Sequence, residues 1–482
     1  MFGKISNNFS PKITHFRFNA FFTAIFCCLS YIVVAQPSQL LTLETFLQQV
    51  RTQHPVIKQA TLLSEQARAS LLAARGGFDP KLYGDWERKS FDGKNYFNLG
   101  EGGLKLPTWY GIEGKLGYNY ASGVFLNPEN KLPADGQFVL GFTVPLLQGM
   151  VMDERRAGLF QAKILRQANE AEQQNIRNDL LLDAAKAYWN WALAYSWLQI
   201  YEQAVQVATV RFNGIRESYA VGDKPAIDTL EALIQVQDRS LERNNAQLEF
   251  RNAMLGLQNF FWINDVPLLF ATLQRPVAMS LPPQLPALLD ASADELAALH
   301  PAVRGYEFKL QQLEVERRLK AEQLKPRLDL SYNMLGDGFD LRPGSNGDVV
   351  DLFRENYKFG ISAGFPIFLR KERGSLQLAN LKILDANYGL SQKRQDIRNK
   401  IAAYQNDLRN LRQQIALATQ MRDNYANLLE AENVKFAIGE SSLFLVNSRE
   451  NKLIEAELKL AKLQAEWMKT EAGLRWAAGR LE

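Results

Sequence analysis

Between Tyr357 and Phe365 the chain alternates with a period of two. Tyr357, Phe359, Ile361, Ala363 and Phe365 fall on one side, and Lys358, Gly360, Ser362 and Gly364 on the other. This predicts a β-strand with one apolar face. Three further segments behave alike. Leu328, Leu330, Tyr332 and Met334 oppose Arg327, Asp329, Ser331 and Asn333; Phe138, Leu140, Phe142 and Val144 oppose Val139, Gly141 and Thr143; Tyr110, Ile112, Leu116, Tyr118 and Tyr120 oppose Glu113, Lys115 and Asn119. Strands of about 9–11 residues with this alternation suit the wall of a membrane barrel. A soluble sandwich strand would alternate in the same way, so the period alone leaves both readings open. The connections 127–136 and 336–348 are rich in Gly, Asn, Pro and Asp and read as loops. The stretch 81–107 holds Trp86, Tyr96 and Phe97 without clear alternation, and either extends the first strand or adds a hairpin.

Elsewhere the period lengthens to that of a helix. Pro55 to Arg75 and Pro301 to Leu324 are composed of helix formers, each opened by a His-Pro pair in which the proline suits the first helical position. His54 and His300 therefore read as cap residues, with a metal site the weaker alternative. From Gly158 to Tyr219, positions such as Ala184, Tyr188, Trp191, Tyr195, Leu198 and Ile215 mostly step by three or four. Ile383, Leu390, Ile397, Ile401, Leu408 and Ile415 do the same in the second half. Some 60 helical residues reach roughly 90 Å, several times the width of an ordinary domain, so each helix needs coiled-coil partners along its length. Each is predicted to turn back at Gly222 or Gly439 into another helix of the same kind.

These elements recur in one order. TQHPVIKQA around His54 matches ALHPAVRGY around His300, and Asp79-Pro80-Lys81-Leu82 matches Lys325-Pro326-Arg327-Leu328, both at an offset of 246. GFTVPLLQG matches SAGFPIFLR, and Tyr219-Ala220-Val221-Gly222-Asp223 matches Phe436-Ala437-Ile438-Gly439-Glu440. The expected division is a segment 1–35, a first repeat 36–261, a Pro-rich linker 262–291 and a second repeat 292–482. The first repeat would hold a strand pair within 81–146 and a long helical hairpin over 147–261. The second would hold a strand pair in 326–367 and a hairpin over 368–478.

The segment 1–35 has the layout of an export signal: Lys4, Lys12 and Arg17, then an apolar run from Ala20 that ends in Val33-Val34-Ala35. An uncleaved anchor is the alternative, disfavoured because the run is short for a full span. Cys27 and Cys28, both within it, are the only cysteines of the 482 residues. Without the segment's three basic residues the net charge falls from +4 to +1, so a phosphate-seeking surface and a nucleic-acid role are not expected. A mean hydropathy of −0.23 without repeated apolar 20-mers excludes a polytopic helical membrane protein. Three histidines and two cysteines leave little for a metal or thiol centre. No GxSxG elbow or convergent His/Asp/Ser set is present, so neither catalysis nor a cofactor is expected.

Four strands per chain cannot close a barrel, since bacterial membrane barrels begin at about eight and an open edge in lipid leaves backbone groups unpaired. Cyclic assembly solves this, and three copies would give twelve strands.

With its export signal, its duplicated order of helix, strand pair and long helical hairpin, and the paired motifs TVPLLQG…DERRA and GFPIFLRKERG, the sequence resembles the TolC family of outer-membrane efflux proteins. The resemblance implies a mainly α protein with a membrane β-barrel portion: a trimeric 12-stranded barrel continued by a periplasmic α-helical barrel. It implies a homotrimer in the outer membrane of a Gram-negative cell. That trimer would serve as exit duct of a tripartite efflux or type I secretion system, working with a periplasmic adaptor and an inner-membrane pump. A non-channel coiled-coil scaffold or an adaptor protein is the alternative, but it would not repeat strand pair and hairpin twice.

The resemblance also places a gate at the hairpin tips, here YAVGDKPAIDTLEAL and FAIGESSLFLVNSRE. Asp228 matches an acidic position of the family's gate network. Leu445 and Ser448 stand where relatives carry aspartates, and Phe436 replaces a latching tyrosine. Gate contacts are accordingly expected from Asp223, Asp228, Glu231 and Glu440, with Phe436 and Leu445 as an apolar constriction. Tyr219, Gly222 and Gly439 are expected to meet the adaptor. Ordinary solvated acids and purely structural glycines are the alternatives for these positions.

Overall fold

The computed structural model describes residues 40–267, 275–281, 286–338 and 356–481. The predicted export signal and most of the loop 336–348 lie outside them. The chain opens with a short strand β1 (Leu40–Leu41) and helices α1 (Leu43–Gln53) and α2 (Pro55–Gly76). Strands β2 (Lys81–Phe91), β3 (Lys94–Pro107), β4 (Glu113–Ser122) and β5 (Gln137–Pro145) follow, then the hairpin of α3 (Glu154–Ala220) and α4 (Ala226–Gln258). Short strands β6 (Trp262–Ile263), β7 (Val266–Pro267) and β8 (Arg275–Pro276) occupy the connection between repeats. The second repeat runs through α5 (Ala293–Leu299), α6 (Pro301–Glu322), β9 (Arg327–Leu335), β10 (Tyr357–Gly364), α7 (Arg370–Ala437) and α8 (Leu443–Ala477).

Both histidines cap helices as their sequence suggests. His54 Nδ1 accepts the backbone N–H of Val56 at 3.2 Å, and His300 Nδ1 that of Ala302 at 3.1 Å. The two long helices, α3 of 67 residues and α7 of 68, each extend about 100 Å. Helix α3 packs against α2 and α6 near the sheet and against α4 and α8 beyond them, while α7 packs against α6 and then α8. The helical layer thus reads α2, α3, α6, α7 near the sheet and α4, α3, α8, α7 toward the hairpin tips. Its two lateral edges are α2 with α4 on one side and α7 on the other. Among the described residues no helix is long and apolar enough to cross a membrane.

The core is concentrated where the ends of each repeat fold back. Phe46, Leu181, Tyr188, Trp191 and Leu257 form one cluster, and Val303, Ile397, Ile401, Leu408, Trp467 and Leu474 its counterpart. The inter-repeat connection is pinned onto this level. Gln405 donates to the carbonyls of Leu288 and Ala291 at 3.0 Å, Arg409 to that of Leu289, and β8 pairs in parallel with β1.

One antiparallel sheet of six strands, in the order β10, β9, β5, β4, β3, β2, corrects the expectation of four. The stretch 81–107 adds a hairpin and does not extend the first strand. Asp92 and Gly93, both at positive φ (54° and 70°), make its tight turn. The alternation there is hidden because Gly84, Gly100 and Gly102 take positions on the apolar face. The predicted strand from Tyr110 begins at Glu113, since Thr108 Oγ1 donates to the Ile112 carbonyl at 2.7 Å and closes a turn whose Trp109 stacks on Phe78. Register puts Leu116 opposite Leu140, Leu140 opposite Met334, Phe142 opposite Tyr332 and Tyr332 opposite Phe359, so one face is apolar across the sheet. Lys115, Asn119, Thr143, Asn333 and Lys358 line the other. The apolar face is open in the single chain: Ile361 is 60% exposed.

Candidate functional site

The two hairpin tips are built alike. Gly222 and Gly439 take φ of +83° and +82°, a left-handed turn that lets the chain reverse without a Cβ clash. Asp223 N–H then closes on the Ser218 carbonyl and Gly222 N–H on that of Tyr219. Glu440 and Gly439 close on Lys435 and Phe436 in the same pattern. No atom lies within 4 Å of where a Cβ would sit at either glycine, so conformation and not crowding demands glycine. Gly222→Ala is expected to cost about 1 kcal/mol of local stability. Hydrogen exchange at the Val221 and Asp223 amides should speed up by roughly fivefold while the α3 core is unaffected.

Behind the turns the hairpins lock together. Ile215, Ala232 and Leu443 are buried in one cluster, with Phe212 and Phe436 packed against it, and Lys224 sits 4.9 Å from the Phe436 ring centroid. Next comes a polar clamp. Arg211 on α3 donates to Glu450 on α8 at 2.5 Å and to Asn447 Oδ1 at 3.1 Å, while Asn447 Nδ2 donates to Glu231 on α4 at 3.0 Å. Asn447 and Glu450 are buried. On the second hairpin alone, Ser441 donates to Glu432 at 2.5 Å, and this hydroxyl, helped by Arg449, holds the Glu432 carboxyl below the usual range.

The structure distributes the expected gate residues over different settings. Glu231 belongs to the clamp, and Phe436 is half-buried between the hairpins under Lys224. Asp223 and Glu440 are exposed at the turns, Asp228 lies in the first turn of α4, and Leu445 is exposed on the first turn of α8. Ser448 is half-buried one turn further along, and Tyr219 is exposed beside Gly222. Arg211, Asn447, Glu432 and Glu450 are not among the gate residues expected from the sequence. A signal was available: Arg211 precedes Gly222 by eleven residues and Glu450 follows Gly439 by eleven, so the two stand level in adjacent antiparallel helices. The assembly of charged, hydroxyl and apolar groups couples the two hairpins mechanically. Among the described residues no group of three or more His, Cys, Asp or Glu is placed to hold a metal ion.

The model of the outer membrane efflux protein family matches residues 46–260 and again residues 293–480, one match for each repeat. The chain belongs to that family. This outer membrane efflux protein is similar in fold to solved outer membrane proteins, among them the following. The Campylobacter jejuni CmeC outer membrane channel is 15% identical, with 91% of this chain and 85% of that one covered at a TM-score of 0.62. The Vibrio cholerae outer membrane protein VceC is 16% identical, with 91% and 96% covered at 0.64. The Neisseria gonorrhoeae MtrE channel, solved in its open state, is 16% identical, with 91% and 89% covered at 0.62. No curated protein sequence matches the chain. The sheet is thus the outer-membrane portion, with its apolar face toward lipid, and the helical layer is periplasmic.

Proposed function

We propose that three copies of this outer membrane efflux protein form a closed ring that serves as the exit duct of a tripartite system. That system would take its substrates from an inner-membrane pump through a periplasmic adaptor. The observation that carries the reading is the pair of matched lateral edges. On one side α4 presents Ile227, Ile234, Leu241, Leu248 and Leu255, a strict heptad with every member more than half exposed. On the other, α7 presents Leu378, Leu381, Tyr388, Leu417 and Val434, also exposed. The unpaired sheet edges fall in the same places, β2 following α2 and β10 leading into α7. Unlike edges on opposite sides make a head-to-tail contact, and rotation closes such contacts into a ring. Three is the number the TolC resemblance implies.

In that ring the tips converge. Asp223, Asp228, Glu231 and Glu440 would then set the charge of the periplasmic constriction, with Phe436, Leu445 and Ser448 beside them, and Tyr219, Gly222 and Gly439 would meet the adaptor. The mass of unheated, detergent-extracted protein tests the ring. A trimer is expected, with the paired Leu241→Glu and Leu248→Glu changes shifting it toward monomer by at least tenfold in dissociation constant. A wild-type monomer would overturn the reading.

A further inference from the structure

The β2–β3 hairpin has no counterpart among the described residues of the second repeat, and its faces say where it belongs. Register places Leu82 opposite Leu104 and Leu104 opposite Leu116, so Leu82 and Trp86 lie on the lipid-facing side of the whole sheet; they are 85% and 72% exposed. Lys81, Tyr83, Asp85, Glu87 and Lys89 point to the opposite, polar side. At eleven residues, β2 is long enough for a tilted crossing. Arg88 and Asn98 share the lipid-facing side only near the β2–β3 turn, so the sorting is clean from Lys81 to Glu87, and a hairpin standing in water beside the wall would have no reason to adopt it.

The hairpin is also fastened into the sheet. On the polar face Lys115 of β4 pairs with Glu101 of β3 at 2.8 Å, and Tyr83 of β2 donates to the same carboxylate at 3.2 Å. The Tyr83 ring lies over the cross-strand pair Gly103 and Gly117. A Cβ at Gly103 would collide with the Leu116 carbonyl and meet the Tyr83 hydroxyl at 2.9 Å. Removing the hairpin from the wall would strip β4 of its register from Asn98–Ser122 to Pro107–Glu113, leaving backbone groups unpaired in lipid at several kcal/mol each.

Arc length points the same way. Four helices side by side at about 9.5 Å span about 38 Å. Six strands about 4.8 Å apart and tilted about 40° span about 38 Å as well, whereas four would span only about 25 Å.

We infer that β2 is a wall strand that pairs with β10 of the neighbouring copy, so that three chains enclose an eighteen-stranded barrel. The inference rests on the proposed ring. Its wall radius would be about 18 Å against about 12 Å for twelve strands, with the charges around Glu101 facing the pore.

Cysteine pairs test this directly, because Cys27 and Cys28 are the only cysteines and lie in the predicted signal. Phe359→Cys or Ile361→Cys on β10 would be combined with Leu82→Cys, Gly84→Cys or Trp86→Cys on β2. Oxidation in the assembled trimer is expected to give a reducible ladder of linked dimer and trimer from at least one such pair. The same β10 positions combined with Leu116→Cys or Tyr118→Cys on β4 should give none. A ladder from the β10–β4 pairs, or a trimer in which no β10–β2 pair links, would overturn the eighteen-stranded wall and leave the ring intact. Loss of the trimer in wild-type protein would instead overturn the ring.

Discussion

Arg211→Ala is expected to loosen the two hairpins from each other by about 3–5 kcal/mol, the usual consequence of leaving one member of a buried ion pair alone. Its side chain is 16% exposed and that of Glu450 9%, so water cannot solvate the abandoned carboxylate cheaply. The damage should spread, because Asn447 loses the donor to its Oδ1 and its hold on Glu231 weakens with it. In planar bilayers the variant trimer should show a higher closed-state conductance than wild type, and the amides at the start of α8 should exchange faster. Exchanging the charges, Arg211→Glu with Glu450→Arg, should restore part of both. Unchanged conductance and unchanged exchange in Arg211→Ala would show that the hairpins do not depend on the clamp.

His300→Asn should flatten the acid sensitivity of the fold. His300 is 1% exposed, and burial pushes its pKa down from 6.5 to about 4. Lys393 and Lys400 push the same way, while Asp179 and the Trp476 backbone oppose them. Between these two values the unfolded chain binds the proton and the folded chain does not. Stability is therefore full above pH 6.5 and falls as the pH drops toward 4, by about 3 kcal/mol per chain at the lower end. Asparagine keeps an acceptor for the Ala302 N–H and carries no proton. Melting followed by circular dichroism at pH 8 and pH 5 should show a smaller drop for His300→Asn than for wild type. An equal drop would place the sensitivity elsewhere. His54 is lowered by burial too, partly offset by its contact with the Asn259 carbonyl, so it contributes in the same direction.

The two histidines illustrate what the sequence exposes readily. A His-Pro pair ahead of helix formers is a local signal, and local signals gave the caps, the hairpin glycines and the order of the repeats. Strands were found where bulky residues occupied the apolar face, as from Tyr357 to Phe365. They were missed where glycines did, because Gly84, Gly100 and Gly102 carry no side chain to mark a face, although Lys81, Tyr83, Asp85, Glu87 and Lys89 marked the other one. The clamp was hidden for a different reason: Arg211 and Glu450 are 239 residues apart. Only the packing of α3 against α8 brings them together, and the turn glycines were the one ruler that could have measured it.

The added hairpin also changes the symmetry of the molecule along its length. The offset between repeats is 246 at the histidines and 217 at the turn glycines, and the residues responsible fall where β2 and β3 lie. In a ring of three, the periplasmic end would offer a docking protein six nearly equivalent helical hairpins, so either a threefold or a sixfold arrangement of adaptors could engage it. The outer-membrane end has no such ambiguity. Among the described residues each copy carries a single charged β2–β3 segment, so a molecule that enters through a near-sixfold opening would leave past a wall that repeats only three times.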